Sequence, residues 1–375
     1  MASPHAIRAR RVVVKVGSNV MTARSSLNLE VIESISKQIC MLIDQGLEVI
    51  LVSSGAMAAG LRKMGLSRRP DEIPKRQAIA AIGQSGLMNA YEAVFARHGK
   101  QVAQILLTSE DLTSRKRYLN ARNTLYTLLA WKVVPIINEN DTVKVEEIKL
   151  GDNDNLAAMI ALLMDADLLI NLTDIEGLYT KDPRKAPDAE LITRVTSFKK
   201  EIEQFASYIP GTLGTGGMLT KIKAAKKVTS AGVPMIIAKG DKPDVLLRLF
   251  AGESHGTYFD PQGKKLARRK CWIAYTLTPK GSLILDNGAS DAILKNGKSL
   301  LPSGIVAVEG DFREGAAVAF KNQSQELLGM GLVNYSAADI RLIMGLKTSQ
   351  IKACLGSKPY DEVIHRDNLV ITGSL

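Results

Sequence analysis

Apolar runs rich in β-branched residues recur along the first two-thirds of the chain. They lie at Val12–Val16, Val49–Val52, Val102–Leu107, Val133–Ile137, Leu168–Leu172 and Pro234–Ala238. Stretches with helical spacing separate them, at Leu29–Gln45, Ala78–Arg97, Ala121–Trp131 and Leu156–Met164. The runs are apolar throughout rather than alternating, which suits strands buried on both faces. Strand and helix in alternation predict an α/β domain with a mainly parallel sheet sandwiched between helices. In such sheets ligands bind beyond the carboxyl ends of the strands. The residues that follow each run are therefore the ones to read for function.

Past residue 260 the texture changes. Short apolar segments appear at Ser282–Leu285, Ile305–Val308, Ala317–Phe320 and Leu327–Met330. The turn signals Asp286-Asn-Gly, Asn296-Gly, Pro302-Ser-Gly, Glu309-Gly-Asp and Arg313-Glu-Gly separate them. This predicts a small, mostly β domain. The expected organisation is a large domain over 1–262, a basic linker over 263–275, the small domain over 276–358 and a C-terminal tail over 359–375.

The net charge of +11 matters less than where it sits. The linker carries Lys264-Lys265-Leu-Ala-Arg268-Arg269-Lys270, whereas residues 276–375 hold ten basic and ten acidic side chains. Such a run is either a solvated linker or a weak polyanion contact, and a nucleic-acid partner is not expected. Cys40, Cys271 and Cys354 are far apart and form no disulfide framework, which fits a reducing, cytoplasmic location. His5, His98, His255 and His365 are equally scattered, so no metal cluster is expected. The start of the chain shows no apolar signal segment. The longest apolar stretch, Leu156 to Leu172, is broken by Asp165 and Asp167, so no membrane span is expected.

The sharpest local motif is Gly214-Thr215-Gly216-Gly217-Met218-Leu219-Thr220-Lys221. A glycine-rich loop runs into a helix that carries a lysine in its first turn. Helix N-termini attract anions and disfavour cations. Lys221 makes most sense with a strong anion, such as phosphate, between it and the loop. A surface turn before a Lys-rich helix is the bland alternative. No Gly-Lys-Ser/Thr closes the loop, so it is not a Walker motif.

Strand ends elsewhere carry unusual polar residues. Lys15 stands late in an apolar strand just before Gly17-Ser18, where it either meets an anion or reaches water from an edge. Ser53-Ser54-Gly55 offers N–H and O–H donors, or a helix cap. Asn138-Glu139-Asn140-Asp141 follows a buried run, and Gly151-Asp152-Asn153-Asp154-Asn155 enters a helix with more acids and amides than a cap needs. Thr173-Asp174 puts a carboxylate just past another strand. Two lysines, glycine N–H donors, carboxylates and amides suit phosphoryl transfer, which is mostly positioning and charge neutralisation. No nucleophile–base pair stands out, and a carboxylate attacking ATP needs none. Its difficulty is bringing two anions together, which lysines, amide donors and Mg²⁺ relieve.

These segments resemble the amino acid kinase family. The resemblance rests on Val14-Lys-Val-Gly-Ser18, Val52-Ser-Ser-Gly-Ala56, Val134-Pro-Ile-Ile-Asn-Glu-Asn-Asp141, Lys149-Leu-Gly-Asp-Asn-Asp-Asn155, Leu172-Thr-Asp174, Gly177-Leu-Tyr-Thr180, Asp182-Pro-Arg184 and the loop ending at Lys221. Ser18-Asn19 and Ser53 depart from the family's usual residues without removing a charge. The C-terminal part resembles the PUA domain that many members carry, through Leu294-Lys-Asn-Gly-Lys-Ser-Leu-Leu-Pro-Ser-Gly304 and Gly310-Asp-Phe-Arg-Glu-Gly315.

The resemblance implies the amino acid kinase fold and phosphorylation of L-glutamate by ATP with Mg²⁺, the first step of proline synthesis. It assigns catalysis to Lys15, Lys221, Asp154 and the N–H groups of Gly17 and Gly55. It assigns glutamate to Ser54, Asp141 and Asn153, and ATP to Lys15, Thr173, Asp174 and Thr215 to Lys221. It further implies inhibition by proline, with Arg115–Asn120 as a candidate responsive loop, and a homo-oligomer, dimeric or tetrameric. The rival expectations are a sister kinase acting on another carboxylate, and an RNA-binding role for the PUA-like domain.

Overall fold

A computed structural model describes residues 9–23, 26–143, 153–207, 217–262, 270, 272–274 and 277–371. The chain divides into two compact units, Met1–Lys264 and Lys265–Leu375. No helix among the described residues is long and apolar enough to cross a membrane.

The first unit is built on an eight-stranded sheet. In chain order its strands are β1 (Arg11–Val16), β2 (Glu48–Val52), β3 (Gln101–Leu107), β4 (Val133–Glu139), β5 (Leu168–Thr173), β6 (Arg194–Val195), β7 (Met235–Lys239) and β8 (Thr257–Phe259). The spatial order is β6-β8-β7-β5-β1-β2-β4-β3. Neighbours are parallel from β7 across to β3, and β8 pairs antiparallel with β7. Each apolar run forms one of these strands, as the pattern predicted. The central β1 shows why the run reads as unbroken: Val12, Val13, Val14 and Val16 are all fully buried.

Side chains alternate between the two faces of a strand. Val12, Val14 and Val16 join one core with Ile35 and Ile39 of α1 (Leu29–Asp44) and with Leu87, Tyr91 and Phe95 of a later helix, Ile73–Arg97. The other face, which carries Val13 and Lys15, lies against the helix Asn153–Leu163. That helix is buried almost all round, from Asn153 and Asp154 through Leu163. A helix apolar on every side belongs inside a core. The sheet reverses its winding at β1: the chain leaves toward β2 on one side and returns as β5 on the other. Such a switch point opens a crevice beyond the carboxyl ends of the strands.

Two helices wall that crevice near β2. These are α2 (Ala56–Lys63) and α3 (Ile73–Arg97). Their backbones touch through glycine. A Cβ on Gly83 would lie 1.7 Å from the Ala56 carbonyl oxygen, and one on Gly60 would lie 1.9 Å from that of Ile79. Helices α4 (Arg115–Ala130), α5 (Asn153–Leu163), α6 (Lys200–Ser207) and α7 (Met218–Ser230) follow. The polar segment Arg115–Asn120 was read as a loop but forms the opening turns of α4. Its polarity reflects exposure rather than irregular backbone.

The second unit has its own five-stranded sheet. Strands β9 (Gly281–Leu285), β10 (Ile305–Gly310), β11 (Ala317–Lys321), β12 (Leu327–Leu332) and β13 (Leu369–Ile371) lie in the order β10-β9-β11-β12-β13. Its core gathers Leu283, Val318, Phe320, Tyr335 and Ile340. The Asp286-Asn-Gly signal, read as a turn, starts a helix over Asn287–Asn296: the Asp286 carboxylate accepts the Ala289 N–H. The stretch after residue 358, read as a tail, completes this sheet. Leu369–Ile371 pairs with β12, and Val363, Ile364 and Leu369 enter the core. Few turn signals mark it off, and a three-residue strand carries little period to read.

Replacing Gly83 by Ala should force α2 and α3 apart. Overpacking of this kind costs about 1–3 kcal/mol. Urea unfolding should show a lower midpoint with an unchanged slope. An unchanged midpoint would mean that the helix contact gives way freely.

Candidate active site

The centre of the crevice is a buried carboxylate held by two ammonium groups. Asp154 lies in the first turn of α5 and is almost fully buried. Lys15 Nζ stands 2.5 Å from its Oδ1, and Lys221 Nζ stands 3.2 Å from its Oδ2. Lys15 arrives from the end of β1, and Lys221 from the first turns of α7. Asn171 lies directly across from Lys15 in the register of β5 on β1, so both side chains reach the same face. Its amide donates to Asp154 Oδ1 at 2.8 Å. Thr220 adds a hydroxyl bond to Oδ2 at 2.7 Å.

Burial alone would raise the Asp154 pKa. The charges of Lys15 and Lys221, with hydrogen bonds from Lys15 and Thr220, more than offset it and hold the carboxyl well below the usual carboxylate range. The group is therefore an anion. Two cations against one anion leave this three-residue cluster with one positive charge in excess.

Gly17 follows Lys15 immediately. Its N–H donates to the Leu172 carbonyl at 2.9 Å, closing β1 against β5. That N–H, expected to serve the ligand, is thus taken up by the sheet, and a Cβ at Gly17 would press on the Leu172 carbonyl oxygen at 3.2 Å. Thr173 and Asp174 continue from β5 beside it. The Thr173 hydroxyl donates to Asp174 at 3.0 Å, and the Asn19 amide donates to the same carboxylate at 2.9 Å. Gly217 caps α7 in extended backbone, followed by buried Met218, exposed Leu219 and then Thr220 and Lys221. Thr215 and Gly216 lie outside the described residues.

On the other side of Asp154 a cleft of about 370 Å³ opens between β2, β4 and α2. Ser54, Gly55, Asn138, Glu139, Asp141 and Asn153 line it. Gly55 has φ +103°, a left-handed conformation that favours glycine, and it starts α2. Asn153 Nδ2 sits 2.7 Å from the Ser53 carbonyl, 3.1 Å from Ser54 Oγ and 3.0 Å from Asn138 Oδ1. With its amide nitrogen so committed, Asn153 Oδ1 is buried with no hydrogen-bond partner. An acceptor left open inside a polar cleft suits a ligand donor.

The crevice thus brings together Lys15, Gly17, Asp154, Lys221, Thr173 and Asp174 on one side and Ser54, Gly55, Asp141 and Asn153 on the other. Sequence reading passed over Asn171, an amide inside the apolar run Leu168–Leu172, and Thr220, which it treated only as part of the loop. A polar residue within a strand buried on both faces is the signal that could have found Asn171. Arg68 and Arg69, on the connection between α2 and α3, and Arg76, in the first turn of α3, also line the cleft and were missed because none stands at a strand end.

Comparisons with known proteins agree on one group. The model of the amino acid kinase family matches residues 10–239. That of the PUA domain matches residues 281–355. A glutamate 5-kinase of Syntrophus aciditrophicus is 52% identical over 96% of this chain and 94% of its own. One from a Thermoanaerobacter species is 51% identical, covering 96% of this chain and 97% of its own. One from Pelobacter propionicus is 50% identical, covering 97% and 98%.

Asp154→Asn should destabilise the protein, since it leaves two buried ammonium groups without their anion. Breaking a buried ion pair from one side costs about 3–5 kcal/mol. The folded pKa of Asp154 is depressed, so its stabilisation is present above the unfolded value of about 3.9 and is lost as pH falls below it. The gap in melting temperature between wild type and variant should stay constant from neutral pH to about pH 5 and narrow below about pH 4. A gap that widens in acid would contradict the ion-pair assignment.

Proposed function

This chain belongs to the amino acid kinase family, and on that premise we propose that it transfers the γ-phosphoryl group of ATP to the side-chain carboxylate of L-glutamate, giving ADP and L-glutamyl 5-phosphate. The observation that carries the proposal is the Lys15–Asp154–Lys221 cluster at the meeting point of two subsites. Half of the sequence is shared with relatives named for this reaction.

A carboxylate oxygen of glutamate attacks the γ-phosphorus. The bond from that phosphorus to the bridging oxygen breaks, and ADP leaves with the electron pair. The nucleophile is already an anion, so no general base is required. The barrier is repulsion between anions, and preorganised cations lower it most. Lys15 and Lys221 neutralise the transferring group. Asp154 holds both lysines in place, and Asn171 and Thr220 hold Asp154. Gly17 closes β1 against β5 beside Lys15, and Gly55 starts α2 at the edge of the acceptor cleft.

ATP lies on the α7 side, against Thr173, Asp174 and the loop from Thr215 to Lys221. Glutamate lies in the cleft, with its ammonium facing Asp141 and Asn153 Oδ1 and with Ser54 beside it. Among the described residues, no three His, Cys, Asp or Glu side chains are grouped to hold a metal. Mg²⁺ brought in with the nucleotide would supply further neutralising charge to the transferring group. Proline carries the same amino acid head group as glutamate and competes for the Asp141 and Asn153 end of the cleft.

ADP release should be stimulated by L-glutamate and not by L-aspartate or N-acetyl-L-glutamate. Activity with either rival acid alone would replace this reading with a sister kinase. Lys15→Ala and Lys221→Ala should each lower turnover by about 10²–10³-fold, the usual cost of one preorganised transition-state donor. Wild-type turnover in either purified variant would remove that lysine from the mechanism. Asp141→Ala should raise the KM for glutamate and leave that for ATP almost unchanged. The opposite pattern would exchange the two subsites.

A further inference from the structure

The acceptor cleft carries more positive charge than its ammonium subsite can use. Arg68, Arg69 and Arg76 all line it, together with Asp141 and Asn153, and Arg69 is close enough to Asp141 to feel its charge. Arg69 is half-buried on the connection between α2 and α3, and Pro70 follows it. Its Nε is buried with no hydrogen-bond partner. Burial depresses its pKa, the charge of Arg76 depresses it further, and Asp141 only partly restores it. Arg76 is anchored from behind, its Nε donating to the Asp71 carbonyl at 3.2 Å. A buried donor without an acceptor is costly, and so are two like charges drawn together. One anion in the cleft would relieve both.

The proposed acceptor has two carboxylates and one ammonium. One carboxylate goes to the phosphoryl group between Lys15 and Lys221. The ammonium goes to Asp141 and Asn153. The α-carboxylate is left, and it sits on the same carbon as the ammonium, so its partner must border Asp141. We infer that Arg69, positioned beside Arg76, binds the α-carboxylate of the acceptor and is the residue that makes this site select an α-amino acid with a free α-carboxylate. A guanidinium suits this task because its fork matches a carboxylate with two parallel N–H bonds. The inference rests on the glutamate reading.

The test compares L-glutamate with L-isoglutamine, whose α-carboxylate is an amide and whose side-chain carboxylate is intact. Both are assayed as substrates, or as competitive ligands where turnover is slow, in wild type, Arg69→Gln and Arg69→Lys. Arg69→Gln should weaken glutamate by about 10–100-fold in kcat/KM, the size of one charge-assisted hydrogen-bonded contact. The loss should fall mainly on KM. Isoglutamine should change little, and the KM for ATP should be unchanged. Arg69→Lys should recover part of the loss, since it restores charge without the fork. Equal losses for both acids, or no loss for glutamate, would overturn the assignment. Wild-type protein inactive toward glutamate would overturn the parent reading and the inference with it. Active wild type with an indifferent variant would overturn the inference alone.

Discussion

Asp154 is the one charge in this molecule on which the arrangement of the crevice depends. It is carried into the interior by α5, a helix apolar enough to be buried on all sides. An anion there is tolerated only with cations and donors around it. Lys15 and Lys221 supply the charge, and Asn171 and Thr220 supply hydrogen bonds. Four elements are thereby tied at a single point: β1, the consecutive pair α5 and β5, and α7. Buried ion pairs are weak evidence for stability, because desolvation consumes most of the attraction. This one makes better sense as a device that holds two ammonium groups still while leaving the cluster with net positive charge.

The two sides of that point differ in construction. Toward α7 the polar groups are small and close to the backbone, a surface that phosphate oxygens can approach. Toward α2 amides, carboxylates and guanidinium groups line the cleft. Gly60 and Gly83 let α2 and α3, on either side of the connection that carries Arg69, meet at backbone distance. Glycine there shapes a binding wall without touching a ligand.

The second unit follows a separate logic. Its core is its own, and its sheet is closed by residues that come after the matched PUA segment. None of the candidate site residues belongs to it. Its balanced charge, ten basic and ten acidic side chains over residues 276–375, offers little attraction to a polyanion.

The alternation of apolar runs and helical stretches determined the α/β class, because a strand buried on both faces cannot carry polar alternation. It also determined where chemistry could stand, because polar residues bunched at strand ends are expensive unless used. Lys15, Ser54, Asp141, Asn153, Asp154 and Thr173 were legible on that ground, and Lys221 on the glycine-rich loop that runs into its helix. What the sequence could not decide was which of them meet. That follows from the sheet order β7-β5-β1-β2-β4, which sets β1 between strands that come far apart in the chain. Asn171 gained its place only through register with Lys15, and Arg69 only through the close crossing of α2 and α3. Register and helix crossing arise from packing between distant segments, so no local pattern records them.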